Sequence, residues 1–535
     1  MTSTPTDVVL LGGGHNGLVC AFYLARAGLK VTVLERRSVV GGAAVTEEFH
    51  PGFRNSVASY TVSLLNPTVI AEMELARHGL TIVKRKLANF LPLNDRDYFE
   101  VGAGRTQAEV AKFSTTDAER LPAYAARLEA IADVLRDLVL STPPNVVEGG
   151  WAAALPELIK GAGLGRRISG LGLTLERDLL ALFSQSAGDW LDGWFESDPI
   201  KAAFGFDGVV GAYASPYTPG TAYVLLHHVF GEVNGEKGAW GHAIGGMGAI
   251  TQAMARACAE QGVDLRTDSP VAEVLVEGGR AVGSVTEAGE IHRARMVVSN
   301  LNPKLLFQRL VDPAVLPEDF RDRMARWRNG SGTFRMNLAL SELPRWTCKP
   351  EPGDHLTAGQ IIAPSLAYLD RAFLDARLHG WSKAPIVEML IPSTLDDSLA
   401  PRGAHVASLF CQHVAPTLPE GRSWDDHREE VADLMIDTVE ALAPGFKASV
   451  VGRQILSPLD LERTFGLLGG DIFHGQLGLD QLFSARPALG HADYRAPVRG
   501  LYMCGAGTHP GGGVTGAPGR NAAMEILRDV KRRRV

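Results

Sequence analysis

The stretch from Asp7 to Glu35 constrains this chain more than any other. Asp7-Val-Val-Leu-Leu11 is a short, continuous apolar run and reads as a buried strand of a parallel sheet. Gly12-Gly-Gly-His-Asn-Gly17 follows at once and fits G-x-G-x-x-G. The pattern predicts a helix over 18–27 ended by Gly28, then a second strand, Lys30-Val-Thr-Val-Leu34, ended by Glu35. Each part has a task in holding a dinucleotide. Gly12 permits the tight turn, Gly14 lets backbone approach a pyrophosphate, and Gly17 lets helix and strand pack closely. His15 and Asn16 sit inside the turn and join the expected contact set. The helix N-terminus offers N–H groups and a positive dipole end to phosphates. Glu35, 23 residues after Gly12, can accept hydrogen bonds from an adenosine ribose. A glycine turn without a ligand does not account for that acid.

Two further glycine clusters repeat the theme. Of the 59 glycines, seven fall in 12–42, four in 241–248 and eight in 500–519. Gly241-His-Ala-Ile-Gly-Gly-Met-Gly248 precedes an amphipathic pattern over 249–261. Strands are expected at 263–266, 269–276, 281–285 and 295–300. Gly500-Leu-Tyr-Met-Cys504 reads as a strand, and a helix is expected over 520–530. Eight glycines in twenty residues mean backbone held close to something, and a helix N-terminus after such a loop stabilises negative charge.

Composition removes several function classes. The net charge of -7 provides no global positive field for nucleic acid. Five widely spaced cysteines without C-x-x-C suit a reducing compartment and exclude a dithiol motif. The charge-free stretches 8–25 and 208–231 are broken by glycines, prolines and His227-His228, so neither reads as a membrane span. No leader is expected ahead of residue 7. With 41 arginines against 12 lysines, the expectation is a bacterial, cytoplasmic protein attached to a membrane at most peripherally. His227-His228 lacks a third ligand nearby, and no metal site is expected.

The ordered clusters resemble flavoproteins of the amine oxidase and phytoene desaturase superfamily. The pair Gly41-Gly42, six residues after Glu35, carries this resemblance, as do Gly-Gly-Met-Gly248 and Gly505-Ala-Gly-Thr-His-Pro-Gly511. Gly14-His-Asn-Gly-Leu-Val19, Gly41-Gly-Ala-Ala-Val-Thr-Glu-Glu48, Ala58-Ser-Tyr60 and Trp194-Phe-Glu-Ser-Asp198 are similar to one group within it. That group is the pyridine nucleotide-disulphide oxidoreductase domain-containing protein 2 group.

The resemblance implies an α/β fold: a Rossmann-like FAD-binding domain with an inserted, partly helical substrate domain. The flavin domain is expected to be discontinuous, over 1–80, 240–302 and 455–535, with 81–239 and 303–454 on the substrate side. It implies non-covalent FAD, with Gly41 and Gly42 along the phosphates and ribityl chain, Val271 at the adenine, and Gly505, Ala506, Gly513 and Val514 near the flavin. Many members continue Gly-Gly-Arg, whereas here Ala43-Ala44 follow Gly41-Gly42, so Arg36 or Arg37 is a candidate substitute for the missing phosphate contact. His509, Glu232 and His242 are the candidate catalytic side chains. The implied reaction is hydride transfer between flavin and an apolar, polyene or isoprenoid substrate. Alternatives are a flavin amine oxidase and an FAD-binding regulatory protein. The apolar segment 155–172 is either a core-facing helix pair or a membrane-dipping element, and 208–231 either lines a tunnel or is plain core. The expectation leaves room for a homo-oligomer.

Overall fold

The computed structural model describes residues 6–145, 147 and 150–533 of the 535-residue chain. Its first sheet has a parallel core. Thr6–Leu11 lies between Val31–Leu34 and Ile291–Ser299, with Asp264–Arg266 outside Val31–Leu34 and Leu501–Met503 outside Ile291–Ser299. The middle strands are buried on both faces, which their unbroken Val and Leu runs require. The antiparallel strands Val271–Glu277 and Arg280–Thr286 extend from the start of Ile291–Ser299. Three helices cover one face: His15–Arg26, Met247–Glu260 and Ala517–Lys531. The first and last begin three residues earlier than expected, because each starts directly on its glycine turn.

The second sheet joins the two insertions. Its order is Val450–Leu456, Phe334–Leu340, His405–Val414, Trp381–Leu390, Gly359–Ile362, Leu87–Pro92, Tyr98–Gly102. Gly359–Ile362 pairs in parallel with Leu87–Pro92, so chain segments 270 residues apart share one ladder. Residues Pro303–Arg326, assigned by sequence to the insertion, instead pack Leu306, Phe307 and Phe320 onto the first sheet.

Segment 155–172 covers most of the helix Gly150–Ser169 and the turn before Leu173–Ser184. This hairpin does not face the core along its length: Leu155 is 61%, Ile159 66% and Leu180 69% exposed. Among the described residues no helix is long and apolar enough to cross a membrane.

Candidate functional site

The site is built on the ends of the parallel strands. Gly12 has φ +91°, which only glycine adopts without strain. Its N–H donates to the Leu34 carbonyl at 2.8 Å. Glu35 then closes the turn, accepting from the N–H of Gly13 at 2.8 Å and of Arg37 at 3.0 Å. A carboxylate has about four lone-pair sites, so capacity remains for a ligand. The second glycine pair docks on the first: the Gly41 N–H donates to the Gly13 carbonyl at 2.8 Å.

A cavity of about 620 Å³ opens along these turns. Of the residues expected at a cofactor, Gly12, Gly14, His15, Asn16, Glu35, Arg36, Gly42, Val271, Ala506, Gly513 and Val514 line it. Gly17, Gly41 and Gly505 stand behind the wall, where close packing excludes a side chain. A Cβ on Gly17 would lie 2.4 Å from the Gly12 carbonyl oxygen, and one on Gly505 2.5 Å from that of Asn300. Arg36 and Arg37 both reach the wall. Arg36 donates to the Arg463 carbonyl at 3.1 Å; Arg37 lies 5.0 Å from the Phe465 ring centroid.

The wall calls for a polar ligand. His15 Nε2, Asn16 Oδ1, Arg37 Nη1, Asn302 Nδ2 and His474 Nδ1 are buried without a partner, and all five residues line the cavity. Native interiors rarely leave such atoms unpaired. A dinucleotide brings hydroxyls and phosphates to match them. The helix His15–Arg26 has a glycine N-cap, no side-chain cap and no acid in its first turn, which suits phosphate. The other two helices on that face of the sheet, also glycine-capped, differ. Ser56 and Thr46 hydroxyls accept from Met247 and Gly248, and the Thr515 hydroxyl accepts from Ala517. In the 241–248 cluster only Met247 reaches the wall.

The three candidate catalytic side chains are not among the lining residues, and both histidines have a local partner. His509 Nε2 is 3.0 Å from the Leu138 carbonyl, with its ring edge-on to Phe483. Burial pushes it down to about 4. Glu232 opens a two-residue strand, where its N–H donates to the Ser63 carbonyl at 2.8 Å. His242 Nε2 is 3.2 Å from Asp396 Oδ2. Asp396 also accepts from the N–H of Gly245 and from the N–H and hydroxyl of Ser398. These donors hold its carboxyl well below the usual range against the opposing effect of burial. A folded-state value below the unfolded one stabilises the fold above the ordinary aspartate range, and that contribution is lost as pH falls through the folded value. Asp396→Asn is therefore expected to lower the urea midpoint at pH 7, by about 1–3 kcal/mol in stability, and the gap from wild type should shrink in acid.

Sequence reasoning missed several wall residues. His228 lines the cavity, stacked on Trp240 at 6.3 Å and 14°, while His227 turns into the core against Phe230. Of segment 208–231 only Val210 and His228 reach the wall. Tyr60 and Phe410 line it as a stacked pair, 5.1 Å apart. The Tyr60 hydroxyl donates to Glu388 at 2.5 Å, and the buried Arg335 guanidinium lies 4.6 Å from the Tyr60 ring centroid. Burial raises the Glu388 carboxyl and pushes Arg335 down to about 10. Arg335 stays charged, donating to the Ala58 and Leu409 carbonyls and the Ser408 hydroxyl. Folding also brings Cys20 and Cys504 together as buried free thiols. Burial raises the Cys504 thiol, the wrong direction for a nucleophile. Among the described residues no cluster could hold a metal ion.

A family model described as Flavin containing amine oxidoreductase matches residues 17–527. The chain belongs to the flavin-containing amine oxidoreductase family. It is an FAD-dependent oxidoreductase, and the orphaned polar atoms of the wall fit that cofactor. Within the family, the chain is 42% identical to pyridine nucleotide-disulfide oxidoreductase domain-containing protein 2 of Rattus norvegicus, over 98% of this chain and 94% of the relative. It is 24% identical to a lycopene-forming phytoene desaturase of Pseudescherichia vulneris, over 98% of this chain and 99% of that one. Cyclohexylamine oxidase from Brevibacterium oxydans shares the fold at 17% identity, with a TM-score of 0.58 over 99% of this chain and 100% of the other.

Proposed function

We propose that this flavin amine oxidoreductase family member binds FAD without a covalent bond and exchanges a hydride with an apolar substrate of polyene or isoprenoid type. The observation that carries the reading is the cavity wall away from the glycine turns. Val62, Leu64, Val210, Phe410, Ile472 and Phe473 are its apolar part, beside Thr61, Ser63 and His228, and the nearby Tyr60 hydroxyl is already taken by Glu388. Such a wall binds a hydrocarbon by burial and keeps water from the reacting carbon. The relation to phytoene desaturase supports the polyene class. FAD, when bound, supplies the hydride acceptor. The chain's part is to orient the substrate and exclude water. None of the five cysteines lines the cavity, which supports a non-covalent cofactor. The outward leucines of the hairpin 150–184 support arrival of substrate from a membrane surface.

The test mixes the purified protein with liposomes carrying a panel of polyenes and isoprenoid hydrocarbons under anaerobic conditions. One substrate class should bleach the flavin's visible absorption, the protein should sediment with the liposomes, and acid precipitation should release the flavin. Flavin that no hydrocarbon bleaches sinks the substrate reading. A second reading, oxidation of a small amine, draws on the stacked Tyr60–Phe410 pair, since aromatic faces also attract cations. It predicts peroxide release with amines and none with polyenes.

A further inference from the structure

Two imidazoles from opposite ends of the chain share the cavity wall. His15 opens the helix after the glycine turn, and His474 lies in the loop between Leu468–Gly470 and Leu479–Gln481. The His15 ring lies against the Gly513 backbone, and its Nε2 is buried with no partner. A neutral imidazole has one acceptor nitrogen, and Nε2 fills that role when the proton sits on Nδ1. His474 Nδ1 is likewise buried and unpartnered. Its backbone has φ +58°, an uncommon conformation for a side-chain-bearing residue, and the Trp327 indole donates to its carbonyl at 3.2 Å. Burial pushes His15 down to about 4 and His474 to about 3, so both rings are neutral at pH 7.

A neutral acceptor selects its ligand. Phosphate oxygens at neutral pH have little to donate, whereas a hydroxyl does. Asn16 Oδ1, next in sequence, is another unpartnered acceptor on the wall. The only carboxylates among the lining residues, Glu35 and Glu287, both act on Arg36. The loop 505–514 contributes Ala506, Gly513 and Val514, which have no polar side-chain atom. We propose that His15, with His474 beside it, accepts a hydrogen bond from a ribityl hydroxyl of FAD, so that this histidine pair positions the flavin within the cavity. The inference rests on the reading that FAD occupies this cavity, and it makes both histidines positioning residues.

The experiment titrates the full-length protein, stripped of flavin, with FAD, with ADP and with FAD analogues lacking the 2′-, 3′- or 4′-ribityl hydroxyl. If the wild type binds neither FAD nor ADP, the cofactor-site reading itself fails, and His15 falls with it. If it binds both, His15→Leu should raise the FAD Kd about ten- to thirtyfold and leave the ADP Kd within about twofold. One analogue should lose the same factor on the wild type and nothing further on His15→Leu, as a closed cycle requires. His15→Gln, which keeps an acceptor, should recover part of the affinity, and His474→Leu should show a smaller loss of the same kind. An equal loss of ADP and FAD binding would mean general damage to the turn and overturns the proposal. So does an unchanged FAD Kd, or a set of analogues that lose as much on the variant as on the wild type.

Discussion

Arg486→Met yields a protein that has lost most of its bound flavin and about 3–5 kcal/mol of stability. Arg486 is fully buried and points at carbonyls. It donates twice to Ala506, at 3.1 and 2.7 Å, and to Phe473 at 2.7 Å, Gln481 at 3.0 Å, Gly475 at 3.3 Å and Gln476 at 3.4 Å. Those carbonyls belong to two separate wall segments, 473–481 and the loop after Leu501–Met503. One guanidinium therefore ties the two together. Burial pushes it down to about 10, so it remains charged at neutral pH. Methionine fills the volume but leaves several buried carbonyls without donors. Lysine brings only three donors from a single point and cannot reproduce the fork. Arg486→Lys should thus recover less than half of the lost stability. Urea unfolding and the flavin-to-protein absorbance ratio are the two measurements. A methionine variant that keeps both wild-type values would show that the segments hold each other without this residue.

Gly17→Ala has the second large effect, and Gly14→Ala makes the informative contrast. A Cβ on Gly17 would lie 2.4 Å from the Gly12 carbonyl oxygen, 3.0 Å from Leu10 Cδ2 and 3.2 Å from Asn300 Cβ. The nearest obstacle is backbone, so the helix must move off the strand. Overpacking of this kind costs about 1–3 kcal/mol or more, and here it also opens the turn. The FAD Kd should rise at least about a hundredfold, which corresponds to about 2.7 kcal/mol. A Cβ on Gly14 would meet the Asn300 side-chain amide at 2.6 Å, and the Gly42 Cα only at 3.9 Å. Gly14 has φ -69°, so alanine brings no backbone strain there. The amide can swing away, so Gly14→Ala should keep near-wild-type stability while still losing FAD affinity, because the new methyl points at the cavity. Equal melting temperatures for the two variants would contradict this account.

The two positions also show what was legible in the sequence. Glycines at a tight turn or a close approach are selected by backbone geometry, so their spacing is readable without knowing any partner. The strand, turn, helix and acid of 7–35 came out in the right order, as did the 500–530 unit. Helix starts were three residues late because the turn and the first helical residues are the same glycine-rich letters. Side-chain chemistry was much less readable. Tyr60 meets Glu388 across 328 residues, and His242 meets Asp396 across 154. Arg335 sits in Phe334–Leu340, a strand whose seven residues are all buried, where one charge among apolar letters looks like noise. Residue type and position single out His509, Glu232 and His242. Type does not reveal whether a carbonyl or carboxylate has already claimed the polar atom.

The order of the strands has a consequence for biosynthesis. Thr6–Leu11 pairs with Ile291–Ser299, which pairs with Leu501–Met503, and Ala517–Lys531 packs so closely on His15–Arg26 that a Cβ on Gly519 would lie 2.1 Å from the Asn16 carbonyl oxygen. A ribosome adding about 5–20 residues per second needs roughly 25–100 s between the glycine turn and the helix that locks it. Throughout that interval the nascent chain presents unpaired strand edges and an unfinished nucleotide fold. The nucleotide turn is thus complete only once residues 517–531 have been made, and a firm grip on the cofactor follows that step.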